Sequence, residues 1–316
     1  MREFTVPGTD SGRRLDKFVK GICPSMPDSM LYKLIRAKDI KVNGARTQAG
    51  CRLHEGDVVG IFARDEFFGK TAPEYDFLNA PKKLDIVYED ENILLLDKKQ
   101  GVLCHPDKGE YTDTLVTRVQ RYLYDRGEYN PERDTFVPAL ANRIDRNTAG
   151  IVIAAKNSVS LRELNEKIKN REITKKYLCA CVGSPKNDSG TLTGYTVKNE
   201  NTNTVAVYSS PVPGGKTTVT KYRVLKRKNG LSLIEAELLT GRTHQIRAQF
   251  ADAGFPLLGD GKYGRNADNK RFGGYKKQCL CSYLISFDFR TNAGILDYLK
   301  GKQFRIENVW FAEELF

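Results

Sequence analysis

Arg143-Ile144-Asp145-Arg146-Asn147-Thr148-Ala149-Gly150 runs directly into an apolar stretch, Ile151-Val152-Ile153-Ala154-Ala155. The apolar run reads as a buried strand. The residues before it put one carboxylate, Asp145, between two arginines at the mouth of that strand. A flanking cation favours the ionised form of a carboxylate. Such a group can act as nucleophile, general base or metal ligand. It can equally be a structural salt bridge, with Asn147 and Thr148 making a turn. The rest of the chain decides between these readings.

The chain has 316 residues, enough for a sizeable core and for two domains, one of them small. Its 51 Lys and Arg exceed its 39 Asp and Glu, giving a formal net charge of +12. Such an excess calls for a polyanionic partner, nucleic acid or an anionic membrane surface. Membrane is the weaker candidate: no apolar run approaches about 18 residues, and the N-terminus lacks a signal-peptide core. The protein is therefore expected in the cytoplasm and without membrane association; it is also expected to be a monomer. Seven cysteines fit a reducing compartment. Two Cys-x-Cys pairs, Cys179/Cys181 and Cys279/Cys281, lie in strand-like runs, where i and i+2 share a face and pack as small hydrophobes. That spacing is not a usual zinc knuckle, and no histidine accompanies it.

Residues 1–62 read as a small basic module, with 11 Lys and Arg against 7 Asp and Glu. A short amphipathic helix starts at Arg14-Leu15-Asp16. Asp28 suits the N-cap of a second helix, with Met30, Leu31, Leu34 and Ile35 as its apolar stripe. A strand at Ile40-Lys41-Val42, a turn at Asn43-Gly44 and a strand near Val58 follow. Lys33, Arg36, Lys38, Lys41, Arg46 and Arg52 are left to face outward. Residues 63–83 mix charges, aromatics, glycine and proline without periodicity and read as a linker. Residues 84–316 alternate strands and helices, with a strong hairpin signal at Asn229-Gly230 between 217–227 and 231–239. Ser158 is expected to cap one helix and Thr243 another over 244–253. Adjacent antiparallel strands with helices outside predict an α+β fold rather than a doubly wound one.

Three side chains stand out for chemistry. Besides Asp145, Arg247 falls one turn after Thr243; if buried, it needs a carboxylate partner, because an unpaired buried charge is very costly. Tyr177 shares a strand face with Cys179 and Cys181, so it belongs either to the core or to the border of a cleft, where its ring could stack on a base.

Taken in order, Arg143–Gly150, Lys176-Tyr177, Gly241–Arg247 and Pro256-Leu257-Leu258-Gly259-Asp260-x-x-Tyr263-Gly264 resemble the motifs of RluA-type pseudouridine synthases. Leu84–Asp90 and Gly101-Val102-Leu103-x-His105-Pro106 resemble the opening of that catalytic domain. The module over 1–62 resembles the S-four RNA-binding domain that precedes it in the ribosomal large-subunit branch, although Asp28-Ser29-Met30 stands where a Ser-Arg-Ser-like triplet is usual. The resemblance implies a mixed, largely antiparallel sheet with flanking helices. It further implies an isomerase that converts uridine to pseudouridine in RNA, ribosomal first and transfer RNA second, with no cofactor and no metal. Asp145 would be its catalytic residue, Arg247 the partner of Asp145, and Tyr177 would lie against the target base. Arg143 would hold the flipped nucleotide, with Arg146, Arg242, Lys262, Arg265, Lys270 and Arg271, together with Lys33, Arg36, Lys38 and Lys41, on the RNA, and Phe272 and Tyr275 could stack on its bases. A non-catalytic RNA-binding assembly factor is the alternative of a different class. Asn142, Ala149 and Lys99 depart from the family's usual His, Ser and Pro, which bears on which uridine is modified.

Overall fold

The computed structural model describes residues 1–68 and 75–316. In the first part, strands β1 (Arg2–Thr5), β2 (Ile40–Val42), β3 (Ala45–Arg46) and β4 (Val58–Ile61) form a sheet in the order β1-β4-β2-β3. Helices α1 (Leu15–Ile22) and α2 (Asp28–Ala37) pack on it. Leu15, Phe18, Val19, Leu31 and Ile35 from the helices and Ile40, Val59 and Ile61 from the strands fill one core. Asp28 is the first residue of α2 rather than its cap, which is Pro27. Arg162 Nη1 donates to the Ser11 carbonyl at 2.9 Å, one of the contacts seating this part against the rest.

The segment expected as a linker includes residues 69–74, which lie outside the described residues. Its end is not loose. Phe77, in a short 3-10 turn over Asp76–Asn79, is buried in the core of the second part beside Tyr75, Leu78 and Tyr129.

The second part is built on an eleven-stranded sheet. Its elements in chain order are β5 (Ile86–Glu89), β6 (Ile93–Lys98), α3 (Leu115–Asp125), β7 (Ala139–Leu140), β8 (Ala149–Ala155), α4 (Ser158–Lys169), β9 (Ile173–Val182) and β10 (Ser189–Asn199). There follow β11 (Thr204–Tyr208), β12 (Lys216–Lys228), β13 (Leu231–Leu238), α5 (Gln245–Asp252), α6 (Asn266–Arg271), β14 (Leu280–Phe287), β15 (Gln303–Arg305) and α7 (Trp310–Leu315). The main strand order is β11-β10-β12-β13-β9-β14-β8-β6-β5. Among the described residues, every pairing between strands of this sheet is antiparallel except β14 with β8, so the α+β expectation holds.

Central strand β8 is apolar at every position because both sides of the sheet are covered. Val152 and Ala154 face a core shared with α3 and α5; Ile151, Ile153 and Ala155 face one shared with α4 and the turn at Gly294–Leu299. Gly150 has φ +113°, and a Cβ there would lie 2.3 Å from the Ser282 carbonyl oxygen, so only glycine lets β8 and β14 meet. The Asn229-Gly230 hairpin forms with both turn residues at positive φ. Two capping expectations change. The cap of α4 is Asn157, whose side chain accepts from the Ser160 amide at 2.8 Å. Helix α5 begins at Gln245, with His244 before it in the left-handed region at φ 52°.

Candidate active site

Asp145 sits where the chain turns into β8, in a turn closed by the Thr148 amide donating to the Asp145 carbonyl at 3.0 Å. The turn is anchored from beneath. Lys98 ends β6 on the same face as Leu94 and Leu96, and it is only 1% exposed. Its ammonium donates to the carbonyls of Lys99 (3.1 Å), Val102 (2.8 Å) and Arg146 (3.0 Å). Burial pulls its pKa down to about 8. Gly101 N–H also donates to the Arg146 carbonyl, and Arg146 Nε donates back to Gly101 O at 2.9 Å. Two loops distant in sequence are thus tied together beside Asp145.

Arg247 reaches Asp145 from α5. Its Nη1 is 3.0 Å from Asp145 Oδ2, while Nε and Nη2 fork onto both oxygens of Asp260 at 2.7 and 3.0 Å. Asp260 is fully buried and also accepts the amides of Lys262 (2.9 Å) and Tyr263 (3.2 Å). Burial alone would raise its pKa, but the guanidinium and the two amides bring it below the ordinary carboxylate range. The Asp260 loop is held in turn: Gly259 has φ +79°, with no room for a Cβ against the Lys277 carbonyl, and its N–H donates to Asn269 Oδ1. Three charges form one chain, Asp260–Arg247–Asp145, that runs from the interior to the surface. Asp145 is its half-open end, with 27% of the side chain exposed, and Oδ1 makes no hydrogen bond among the described residues.

Tyr177 stands on β9, opposite Ser282 of β14. Burial chiefly, and the nearby Asp145 carboxylate in addition, hold its phenol well above the ordinary pKa, so it is neutral. His244 and Tyr263 complete the surround. His244 Nδ1 is 2.8 Å from the Tyr263 hydroxyl, and Nε2 is 3.8 Å from Asp145 Oδ2. Arg247 lies over the Tyr263 ring at 5.2 Å from its centroid. Arg143, Arg146 and Arg242 are exposed at their positions around Asp145 and Arg247.

The sequence pointed to Asp145, Arg247 and Tyr177, and the structure brings these three together. It held Asp260, His244 and Tyr263 only as members of motifs, without roles, and it gave Lys98 no role. Lys98 was legible in principle, since alternation from Leu94 through Leu96 puts it on the buried face. Of the candidate RNA contacts, Lys262, Arg265, Lys270, Arg271, Lys33, Arg36 and Lys38 are exposed, and Lys41 is half-buried. Phe272 and Tyr275, the candidates for stacking on bases, are half-buried and packed on the body. Tyr275 donates to Glu314 at 2.8 Å and leans on Trp310, and Phe272 lies against the core beneath. The cysteine pairs fall on opposite sides of the sheet, Cys179 and Cys181 in one core, Cys279 and Cys281 in another. No cluster of metal-ligating side chains occurs among the described residues. No helix among them is long and apolar enough to cross a membrane.

The family model described as RNA pseudouridylate synthase matches residues 92–252, from β6 through α5, and so spans all three of these side chains. The chain belongs to the RNA pseudouridine synthase family. It is 34% identical to an uncharacterized RNA pseudouridine synthase of Mycoplasma genitalium over 90% of this chain and 88% of that one. It is 31% identical to the ribosomal large subunit pseudouridine synthase C of Vibrio vulnificus over 85% of this chain and 80% of that one. The human RNA pseudouridylate synthase domain containing 4 structure superposes with a TM-score of 0.56 at 18% identity, over 71% of this chain and 88% of that one, and shares the fold. This synthase is an isomerase acting on RNA, converting uridine to pseudouridine.

Proposed function

We propose that this synthase modifies specific uridines of large-subunit ribosomal RNA in the cytoplasm, acting as a monomer, with Asp145 as its reacting group. The observation that carries the chemical part is the one open carboxylate at the end of the Asp260–Arg247–Asp145 chain. The isomerisation breaks the N1–C1′ bond, turns the base and forms the C5–C1′ bond. The C5 proton leaves and N1 gains one, so no atom is lost overall and no cofactor is needed. One carboxylate suffices, where a glycosidase, which must also bring in water, ordinarily uses two. Asp145 acts at the ribose or the base through the unengaged Oδ1, while Arg247 holds Oδ2 and fixes the carboxylate's orientation. Tyr177 forms a neutral wall for the target base; it can take the C5 proton only by passing its own on in the same step. Arg143, exposed at the rim, keeps the nucleotide out of its stack, an extrusion that costs a few kcal/mol.

The choice of RNA rests on relatives named ribosomal large subunit pseudouridine synthase C and on the basic module over 1–62. We read that module as an S-four-like RNA-binding domain, with Lys33, Arg36, Lys38 and Lys41 as its phosphate contacts. Arg146, Arg242, Lys262, Arg265, Lys270 and Arg271 continue the RNA surface around the site. Deleting the gene and mapping pseudouridine across ribosomal and transfer RNA tests the choice. Loss of one or a few sites in large-subunit RNA is the expected result. Loss confined to transfer RNA would transfer the assignment there, and no loss at all would favour a non-catalytic assembly factor.

A further inference from the structure

A hydrogen-bond relay leads from the edge of the sheet to Asp145. Strand β11 is the last in its sheet, and Val205 on it pairs with Lys198 of β10. The Val205 N–H is free to point elsewhere, and it donates to the Tyr263 hydroxyl at 2.8 Å. That bond fills an acceptor site on the phenol oxygen. The hydroxyl proton then has an acceptor in reach, His244 Nδ1, also at 2.8 Å. A phenol can donate only to an unprotonated ring nitrogen, so when the Tyr263 hydroxyl donates to Nδ1 a neutral imidazole carries its proton on Nε2. Nε2 is the nitrogen that faces Asp145 Oδ2, at 3.8 Å.

The ring is held where it is. His244 is fixed at φ 52° at the head of α5, and its side chain is 8% exposed. Burial lowers its pKa, as do Arg247 and Lys262, against the opposing pull of Asp145 and Asp260. Burial and these four charged neighbours act together, and the balance favours the neutral ring.

We propose that His244 is a positioning residue for Asp145: a neutral imidazole, protonated at Nε2 because Tyr263 and Val205 dictate the tautomer, that presents this N–H to Oδ2. At 3.8 Å the bond is not yet formed; such contacts commonly tighten when substrate binds. Arg247 and His244 then hold Oδ2 from two directions and leave Oδ1 to the nucleotide. The role as positioning residue rests on Asp145 being the reacting group; the tautomer does not.

The chain has three histidines, His54, His105 and His244, so ring tautomers are separable by long-range proton–nitrogen correlation on histidine-labelled protein. The spectrum of His244→Gln assigns the His244 signals. The wild type without RNA should show the Nε2–H tautomer near neutral pH, and Tyr263→Phe should shift the population toward Nδ1–H. In turnover, Tyr263→Phe should lower kcat about tenfold with KM unchanged. His244→Gln, whose amide can offer an N–H near the same place, should keep more activity than His244→Ala. An Nδ1–H tautomer or an imidazolium in the wild type would overturn the proposal, as would unchanged kcat in Tyr263→Phe. If the tautomer is as stated but Asp145→Asn turns over normally, the reading of Asp145 fails and the relay stands as a structural arrangement.

Discussion

Two buried ion pairs of this protein use similar groups to different ends. Behind the sheet, Lys167 and Glu172 meet at 3.0 Å with side chains 1% and 3% exposed. Lys167 also donates to the Thr291 carbonyl and hydroxyl, and Glu172 also accepts the amides of Arg290 and Thr291. Every polar group there is engaged, and the pair ties α4 to the chain after β14. In front, Arg247 is engaged as fully, but one of its two carboxylates, Asp145, ends at the surface with an oxygen unused. A closed pair holds elements together. On the function proposed above, the open one holds a reactive group in place, with the buried Asp260 fixing Arg247 from the other side.

Breaking the open pair should give the larger loss of activity. Arg247→Met strips the cation from both carboxylates at once, leaving Asp260 buried and unpaired. Pseudouridine formation should fall on the order of 10³-fold, with Tm lower by roughly 5–10 °C; tritium release and thermal melting check the two effects. Lys98→Met should cost about 10²-fold in activity, since three carbonyls lose their shared donor and the Asp145 turn loses its anchor. Breaking the closed pair should separate stability from chemistry. Lys167→Met should lower Tm by roughly 5–10 °C yet leave turnover at 25 °C within about twofold, given that additivity holds between distant sites.

The closed pair also has a pH signature. Backbone amides, Arg290 foremost, together with Lys167 hold the Glu172 carboxyl down at about 2. A carboxylate depressed on folding contributes stability that is complete above its unfolded value, about 4.3, and is lost as pH falls toward the folded one. The acid limb of a Tm–pH curve between about 4.3 and 2 should therefore be shallower in Glu172→Gln than in the wild type. The smallest expected effect lies away from both pairs. Lys33→Ala, on the exposed face of α2, should reduce the slope of log affinity against log salt by about one unit while leaving kcat unchanged.

Local patterns carried much of this structure in the sequence. Asn229-Gly230 specifies its hairpin through two residues that tolerate positive φ, and the run after Gly150 specifies a strand covered on both faces. The need of a buried Arg247 for a carboxylate followed from charge alone. Pairings between distant segments were not legible. β1 joins the first sheet only through β4, some 55 residues on, and β14 lies parallel to β8 across a register no local signal encodes. The same holds in the site. Asp260 lies 13 residues from Arg247 and reads as part of a glycine turn, while His244 reads as helix until its left-handed backbone is seen. The expected Ser158 cap failed because Asn157, one residue earlier, offers a side-chain oxygen in the right place.

Asp145→Asn tests the division between open and closed pairs most directly. The substitution preserves shape and removes the charge at the open end. With 5-tritiated uridine in ribosomal RNA, the variant should bind the RNA as the wild type does, melt within a few degrees of it, and release no tritium above background. Turnover at the wild-type rate, with binding and melting unchanged, would show that the open carboxylate is not where the reaction takes place.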